Sequence, residues 1–244
     1  MSSNTTRFPI NKLNYKDIII ILGLWYIMAL INVLTGSFSL NYTPVLTGFF
    51  HHLFIFAGRF LFLGLVIFYL ISLYPVTFPE LGLKVKYITS QIMTGIILGL
   101  GLLLAVLLFI NIPLSFNPLT EKFQPLYQLT GPDNFINSML PFIILFTLNL
   151  VLSLSEQLLL NNILFNGLQC KLPNLMAGLL AALAYSGLLC TFTTQRVIIN
   201  FIIAIISIYL YTRAGYSLIL PSIFMSFYYT TYILYVYGWN YLKF

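Results

Sequence analysis

Charge is what this sequence has least of. Only 7% of its 244 residues are Asp, Glu, Lys or Arg, where a soluble domain carries about a quarter. So few charges cannot cover a surface facing water. That excludes a soluble enzyme or a water-borne binding module and makes lipid the solvent over most of the molecule. Cysteine is almost missing as well. Cys170 and Cys190 stand in or beside apolar segments, form no disulfide framework and fit no metal-ligand spacing. No nucleotide-binding loop, zinc spacing or lipidation signature occurs, and the final Tyr-Leu-Lys-Phe offers no prenylatable cysteine. Met1 to Lys16 is polar and lacks an apolar core followed by a small-residue cleavage site, so the first hydrophobic stretch is expected to be kept as a span.

Apolar runs take the place of charge. A span needs about 20 apolar residues, and the candidates are Ile18–Leu34, Phe49–Leu73, Ile92–Ile112, Ile136–Ser153, Met176–Thr191, Val197–Tyr211 and Leu218–Tyr237. The fifth and sixth are short, and Glu156–Gln169 is apolar enough to prolong the fourth. Proline and polar clusters separate the runs, among them Pro75–Lys86 and Pro118–Asp133. The expected fold class is all-α, a polytopic transmembrane helix bundle of about seven spans. Residues 1–17 form a cytoplasmic N-terminal segment and 18–244 a single transmembrane helical domain.

The net charge of +6 would point to nucleic acid in a soluble protein. Here the cations stand singly at the ends of apolar runs, which fits membrane orientation and no nucleic acid. An inside N-terminus puts Arg7, Lys12, Lys16, Lys84, Lys86, Lys171 and Arg213 in the cytoplasm, against Lys122, Arg196 and Lys243 outside. That asymmetry favours N-in, C-out. Composition and the loop wording point to a multi-pass protein of a bacterial plasma membrane. Aromatics crowd the last run, from Phe227, Tyr228 and Tyr229 to Trp239 and Tyr241. Tyr and Trp prefer the headgroup level, so this cluster reads first as an interfacial anchor. A pigment- or quinone-contacting surface is the alternative, and no cofactor is expected.

Ionisable groups inside a bilayer are costly and are usually paired or functional. This chain has His51, His52 and Arg59 in the second run, and Glu156 as the one acid between Asn134 and Gly167. Arg59 shares a helical face with both histidines. The histidines, being adjacent, point apart and cannot jointly hold a metal; an axial haem or metal ligand completed by another chain is the remaining use of either. Glu156 reads either as a general base or as part of a structural polar knot, paired with Arg59 or with Ser155, Asn161 and Asn162. The knot is favoured, because an unpaired carboxylate in hydrocarbon would be protonated. Glu156 is therefore expected to be neutral or bonded to Arg59, Asn161 or Asn162.

The stretch Ser155-Glu156-Gln157-Leu158-Leu159-Leu160-Asn161-Asn162 resembles the first motif of the CPBP group, which contains the CAAX prenyl endopeptidases and the bacteriocin-processing and immunity proteins also called Abi. That motif is Glu-Glu, three residues, then Arg-Gly. Gln157 stands on its second glutamate, Asn161 on its arginine and Asn162 on its glycine. Tyr185 takes the aromatic place of the second motif, with Leu189 where a histidine belongs. Arg213-Ala214-Gly215-Tyr216-Ser217-Leu218-Ile219-Leu220-Pro221 is similar to the approach to the last catalytic helix. There Met225 or Ser226, then Tyr229 or Thr230, replace a histidine and an asparagine. Pro79-Glu80-Leu81-Gly82-Leu83-Lys84 resembles a segment of bacterial members. The resemblance covers about residues 79–230 and implies a CPBP-like core.

It also implies intramembrane proteolysis by glutamate and histidine, for which this chain keeps Glu156 alone. A leucine neither binds metal nor accepts a proton, so ordinary family catalysis is expected to fail. The expected function is that of a non-catalytic pseudo-protease, a binding, scaffold or accessory subunit of a membrane complex. Its partners would be membrane lipids, other membrane proteins and a lipidated or hydrophobic peptide. The alternative is an active CAAX-type protease of altered mechanism, with Glu156 as base and Asn161, Asn162 or His52 as helpers. A transporter is disfavoured, because one deep acid makes no relay.

Overall fold

Helix is the only regular structure among the described residues, as the long apolar runs require: in lipid, backbone polar groups must be satisfied within the segment. The computed structural model describes residues 15–38, 44–74, 76–84, 87–111, 135–188 and 194–237. They form α1 (Tyr15–Phe38), α2 (Pro44–Leu73), α3 (Ile88–Asn111), α4 (Phe135–Gln157), a π-helical segment (Leu158–Phe165), α5 (Asn166–Gln169), α6 (Asn174–Leu188), α7 (Thr194–Arg213) and α8 (Ile219–Tyr237). α4, the π-helical segment and α5 follow one another without a break, so the described residues make 7 helical rods, in the order of the seven apolar runs. Among the described residues, three stretches are long and apolar enough to cross a bilayer: Phe56–Leu73, Ile88–Ala105 and Phe142–Gln169. Asn174–Gly187 and Val197–Arg213 are shorter apolar helices. This is the make-up of a multi-pass membrane protein. The fourth run does extend through Gln169.

α1 packs against α2. Asp17 in the first turn of α1 is buried and suits the positive end of that helix. It accepts a hydrogen bond from the Tyr69 hydroxyl at 2.5 Å and another from Tyr74, which fastens the start of α1 to the end of α2. α2 stops at Leu73, ahead of Pro75, whose ring disfavours helix in the residue before it. A turn follows, closed by the Glu80 carboxylate, which accepts from the Thr77 amide at 2.7 Å and its hydroxyl at 2.8 Å.

α3 packs closely along α8. Gly95 and Gly99 sit four apart, a spacing that lets helix backbones approach in lipid. A Cβ on Gly99 would lie 2.9 Å from the Phe224 carbonyl oxygen, and one on Gly95 would lie 2.8 Å from Ile223 Cγ2. Gly101, half a turn further, faces open space. Gly99→Ala is therefore expected to cost about 1–3 kcal/mol through overpacking against backbone. Gly101→Ala should be neutral or gain up to about 1 kcal/mol from helix propensity. Thermal unfolding of the two variants in mild detergent checks the pair; equal melting temperatures would show that α3 does not approach α8 through Gly99.

α6 and α7 pack on one another and on the π-helical segment. Ala177, Ala181 and Ala182 are fully buried there, small enough to let Phe165, Ile208 and Tyr211 fill the space.

Candidate functional site

The site residues lie around the place where the α4 rod changes its winding. In an α-helix turning 100° per residue, Gln157 and Asn166 would point roughly 180° apart. From Leu158 to Phe165 the chain is instead π-wound, and the Asn166 amide reaches the Asn161 carbonyl five residues back. The wider turn swings Gln157, Asn161, Asn162 and Asn166 toward a common side. The segment is enclosed almost all round, Leu158 to Ile163 being buried without exception.

Four amides buried in an apolar bundle need partners, and most of their atoms have them. Asn161 Nδ2 donates to Gln157 Oε1 at 2.6 Å, and Gln157 Nε2 donates to Ser207 Oγ on α7 at 3.4 Å. Asn162 Nδ2 donates to the Leu81 carbonyl at 2.8 Å. That contact fixes which end of the Asn162 amide faces α7, because a carbonyl oxygen can only accept. Its Oδ1 accepts from the Tyr211 hydroxyl at 2.8 Å, and the same hydroxyl accepts from Asn166 Nδ2 at 2.8 Å. Asn162, Asn166 and Tyr211 thus form a closed polar ring, which the 3.5 Å contact from Asn166 Nδ2 to Asn162 Oδ1 completes.

Leu81 belongs to a loop, Val76–Lys84, that this ring anchors. Gly82 has φ +83, in the left-handed region, and a Cβ there would come within 2.8 Å of Leu218 Cγ. Its carbonyl accepts from the Leu218 amide at 2.8 Å. Lys84 Nζ donates to the Gly215 carbonyl at 2.7 Å, and burial pushes its pKa below the usual lysine value. On α3, Gln91 Oε1 accepts from Ser217 Oγ at 3.0 Å. Residues 79–84 and 213–218 therefore lie against each other at one end of the bundle, and Asn162 holds them to its core.

Glu156 stands one residue before Gln157 and faces a different neighbourhood. It is buried, and Oε2 accepts from the Tyr229 hydroxyl of α8 at 3.2 Å. The Arg59 guanidinium of α2 interacts with it electrostatically. Arg59 is buried too, with Cζ 3.4 Å from the centroid of the Trp25 ring of α1. Trp25 in turn meets Phe62 edge to face, centroids 5.1 Å apart. The Tyr185 hydroxyl of α6 also stands beside Glu156 and interacts with its charge.

The expected knot is thus two knots. Glu156 and Arg59 come together. The hydrogen bonds of Asn161 and Asn162 go to Gln157, Leu81 and Tyr211, and none of these reaches Glu156. His51 and His52 fall within α2, but their side chains lie outside the described residues, as does Leu189. The C-terminal aromatics are not all an interfacial anchor: Tyr228 is buried and Tyr229 reaches inward to Glu156. Tyr211 and Ser207 carry no signal for a polar site in their sequence context, and neither does the Leu81 carbonyl, because it belongs to the backbone. Trp239 and Tyr241 lie outside the described residues.

A further polar strip runs between α4 and α8. Asn149 Nδ2 donates to Thr230 Oγ1 at 3.0 Å, and Ser226 Oγ donates to the Phe146 carbonyl at 2.9 Å. Asn149 Oδ1, Ser153 Oγ and Ser222 Oγ are buried with no hydrogen-bond partner. Each such atom, if dry, costs about 1–3 kcal/mol.

Among the described residues, no three His, Cys, Asp or Glu side chains come together. Chemically, the arrangement offers one carboxylate opposed by a guanidinium and a phenol, and a separate set of interlocked amides. Compared with known proteins, the chain matches no family model, no curated protein and no solved structure.

Proposed function

We propose that this chain is a catalytically inactive, CPBP-like membrane protein, a binding or accessory subunit that uses its bundle to hold a membrane partner. The observation that carries this reading is where the motif side chains spend their hydrogen bonds. Gln157 and Asn161 bond each other, and Asn162 bonds a loop carbonyl and Tyr211. A general base needs a partner that orients it and donors aimed at a developing oxyanion. Here Gln157 and Asn162 are committed to α7 and a loop, while Asn161 donates to Gln157 within its own rod. Glu156 is opposed by Arg59 and capped by Tyr229.

What argues for a CPBP-like core is that three of the four stretches carrying the resemblance, around residues 79–84, 155–162 and 213–221, meet through Leu81, Asn162, Gly82 and Leu218. The proposed setting is a bacterial plasma membrane with the N-terminus in the cytoplasm, which the distribution of Lys and Arg supports. The partner is another membrane protein or a lipidated, hydrophobic peptide.

Purified protein in liposomes, given prenylated CAAX-type and leader peptides, is expected to yield no cleavage products by mass spectrometry. Cleavage that disappears in Glu156→Ala would overturn the reading and establish the protease of altered mechanism. Extraction of native membranes in mild detergent is expected to bring the chain out in a larger assembly.

A further inference from the structure

The outward face of α7 is an apolar stripe with a charged end. Ile198, Ile202, Ile205 and Tyr209 are exposed at spacings of four, three and four residues, and Arg213, four residues on, is exposed as well. At helical rise the stripe is about 22 Å long, more than the roughly 15 Å of hydrocarbon in one leaflet. Its last two members are a phenol and a guanidinium, which suit the headgroup level.

A cation in the last turn of a helix ordinarily caps its free carbonyls. Here those carbonyls are already taken. The Tyr209 carbonyl accepts from Thr212 Oγ1 at 2.8 Å. Those of Leu210, Tyr211 and Thr212 accept from the amides of Ala214, Tyr216 and Gly215, because the chain turns back through Gly215 (φ +68) and Tyr216 (φ +65). The Gly215 carbonyl holds Lys84 Nζ, which brings a second cation to this helix end. Arg213 turns to Tyr209 instead: Nε donates to the phenol oxygen at 3.2 Å, and Cζ lies 5.8 Å from the ring centroid. That contact keeps the guanidinium at the end of the stripe and leaves its two terminal amino groups to another acceptor. The carboxylates at this end of the bundle are engaged elsewhere, Asp17 by Tyr69 and Tyr74, Glu80 by Thr77. A planar fork matches two oxygens of a phosphate.

We propose that the outward face of α7 binds an anionic phospholipid, its phosphate on Arg213 and an acyl chain along Ile205, Ile202 and Ile198. The stripe alone would take any lipid. Arg213 and Lys84 select for net negative charge, since a zwitterionic headgroup brings a cation of its own against them. The site requires only that the chain lie in a membrane, so its failure would leave the pseudo-protease reading standing.

Native mass spectrometry of the full chain, released from mild detergent containing equal amounts of phosphatidylglycerol and phosphatidylcholine, tests this. The phosphatidylglycerol-bound population is expected to exceed the other about fivefold, the effect of one basic side chain at a membrane surface. Arg213→Gln should bring the ratio close to one. Lys16→Gln, which removes an exposed cation from the start of α1, should leave it. Equal binding of the two lipids by the unaltered protein would overturn the proposal. So would an equal fall in both variants, which would mean diffuse surface charge. Displacement of bound phosphatidylglycerol by the same concentration of inorganic phosphate would also sink it, because the stripe would then add nothing. If Arg213→Gln does not fold, Arg213→Lys is read instead: it keeps the charge without the fork and should lose part of the preference, and an unchanged ratio would overturn the assignment.

Discussion

Arg59→Met is expected to lower the free energy of unfolding by about 3–5 kcal/mol, the usual cost of removing one partner from a buried charge pair. Arg59 is 6% exposed and Glu156 8%, so neither charge is relieved by water. Met keeps much of the packing on Trp25 and Phe62 but removes the charge that opposes the Glu156 carboxylate. The second substitution is the informative one. Adding Glu156→Gln removes the stranded carboxylate and leaves Tyr229 a neutral acceptor, so the double variant should recover about 1–2 kcal/mol of the loss. Equilibrium unfolding in mixed detergent, run on the single and double variants as a cycle, reads the coupling directly. Strict additivity would mean that Arg59 and Glu156 do not stabilise one another. Such a result would also weaken the view that Glu156 is held by the bundle.

The next largest effect is expected at Asn162. Its amide donates to the Leu81 carbonyl and accepts from Tyr211 and Asn166, so Asn162→Leu, close in volume, strands groups on three elements. Hydrogen bonds between membrane helices average about 0.6 kcal/mol and reach about 1.7. Loss of this set should therefore cost about 2–3 kcal/mol. The loss should also be local. Leu81 sits in the loop that carries the Gly82–Leu218 and Lys84–Gly215 contacts, so backbone amides there should exchange faster with deuterium in the variant. A variant with reduced stability but unchanged exchange in Val76–Lys84 would show that the loop is held by α8 alone. The two variants probe different knots, and their effects should add.

Several of these features could be read from residue order. The scarcity of charge and the length of the apolar runs require helices in lipid, because no other open structure satisfies its backbone there. Each of the seven runs lies within or largely overlaps a helical rod, and the continuation of the fourth run through Gln169 is visible in its unbroken apolarity. Cost alone offers Arg59 as one candidate partner of Glu156 beside Ser155, Asn161 and Asn162, since a deep charge gains by meeting an opposite charge or polar groups.

Other features needed the folded chain. Helical periodicity assumes one winding, and read at 100° per residue it scatters Gln157, Asn161, Asn162 and Asn166 around the rod. The π-winding from Leu158 to Phe165 gathers them, and the tertiary bonds to Leu81, Ser207 and Tyr211 reward that winding. The partner of Glu156 among the last aromatics was likewise undetermined, because Tyr suits an interface and a buried hydroxyl contact equally well. Sequence alone therefore points to a lipid-embedded helical bundle in which Glu156 needs a polar or charged partner, since those follow from transfer energies of single residues. Only the tertiary structure decided which amides lock the loop at Leu81 and which tyrosine caps Glu156. Those choices depend on distances between segments 45 to 81 residues apart, set by the packing of whole helices.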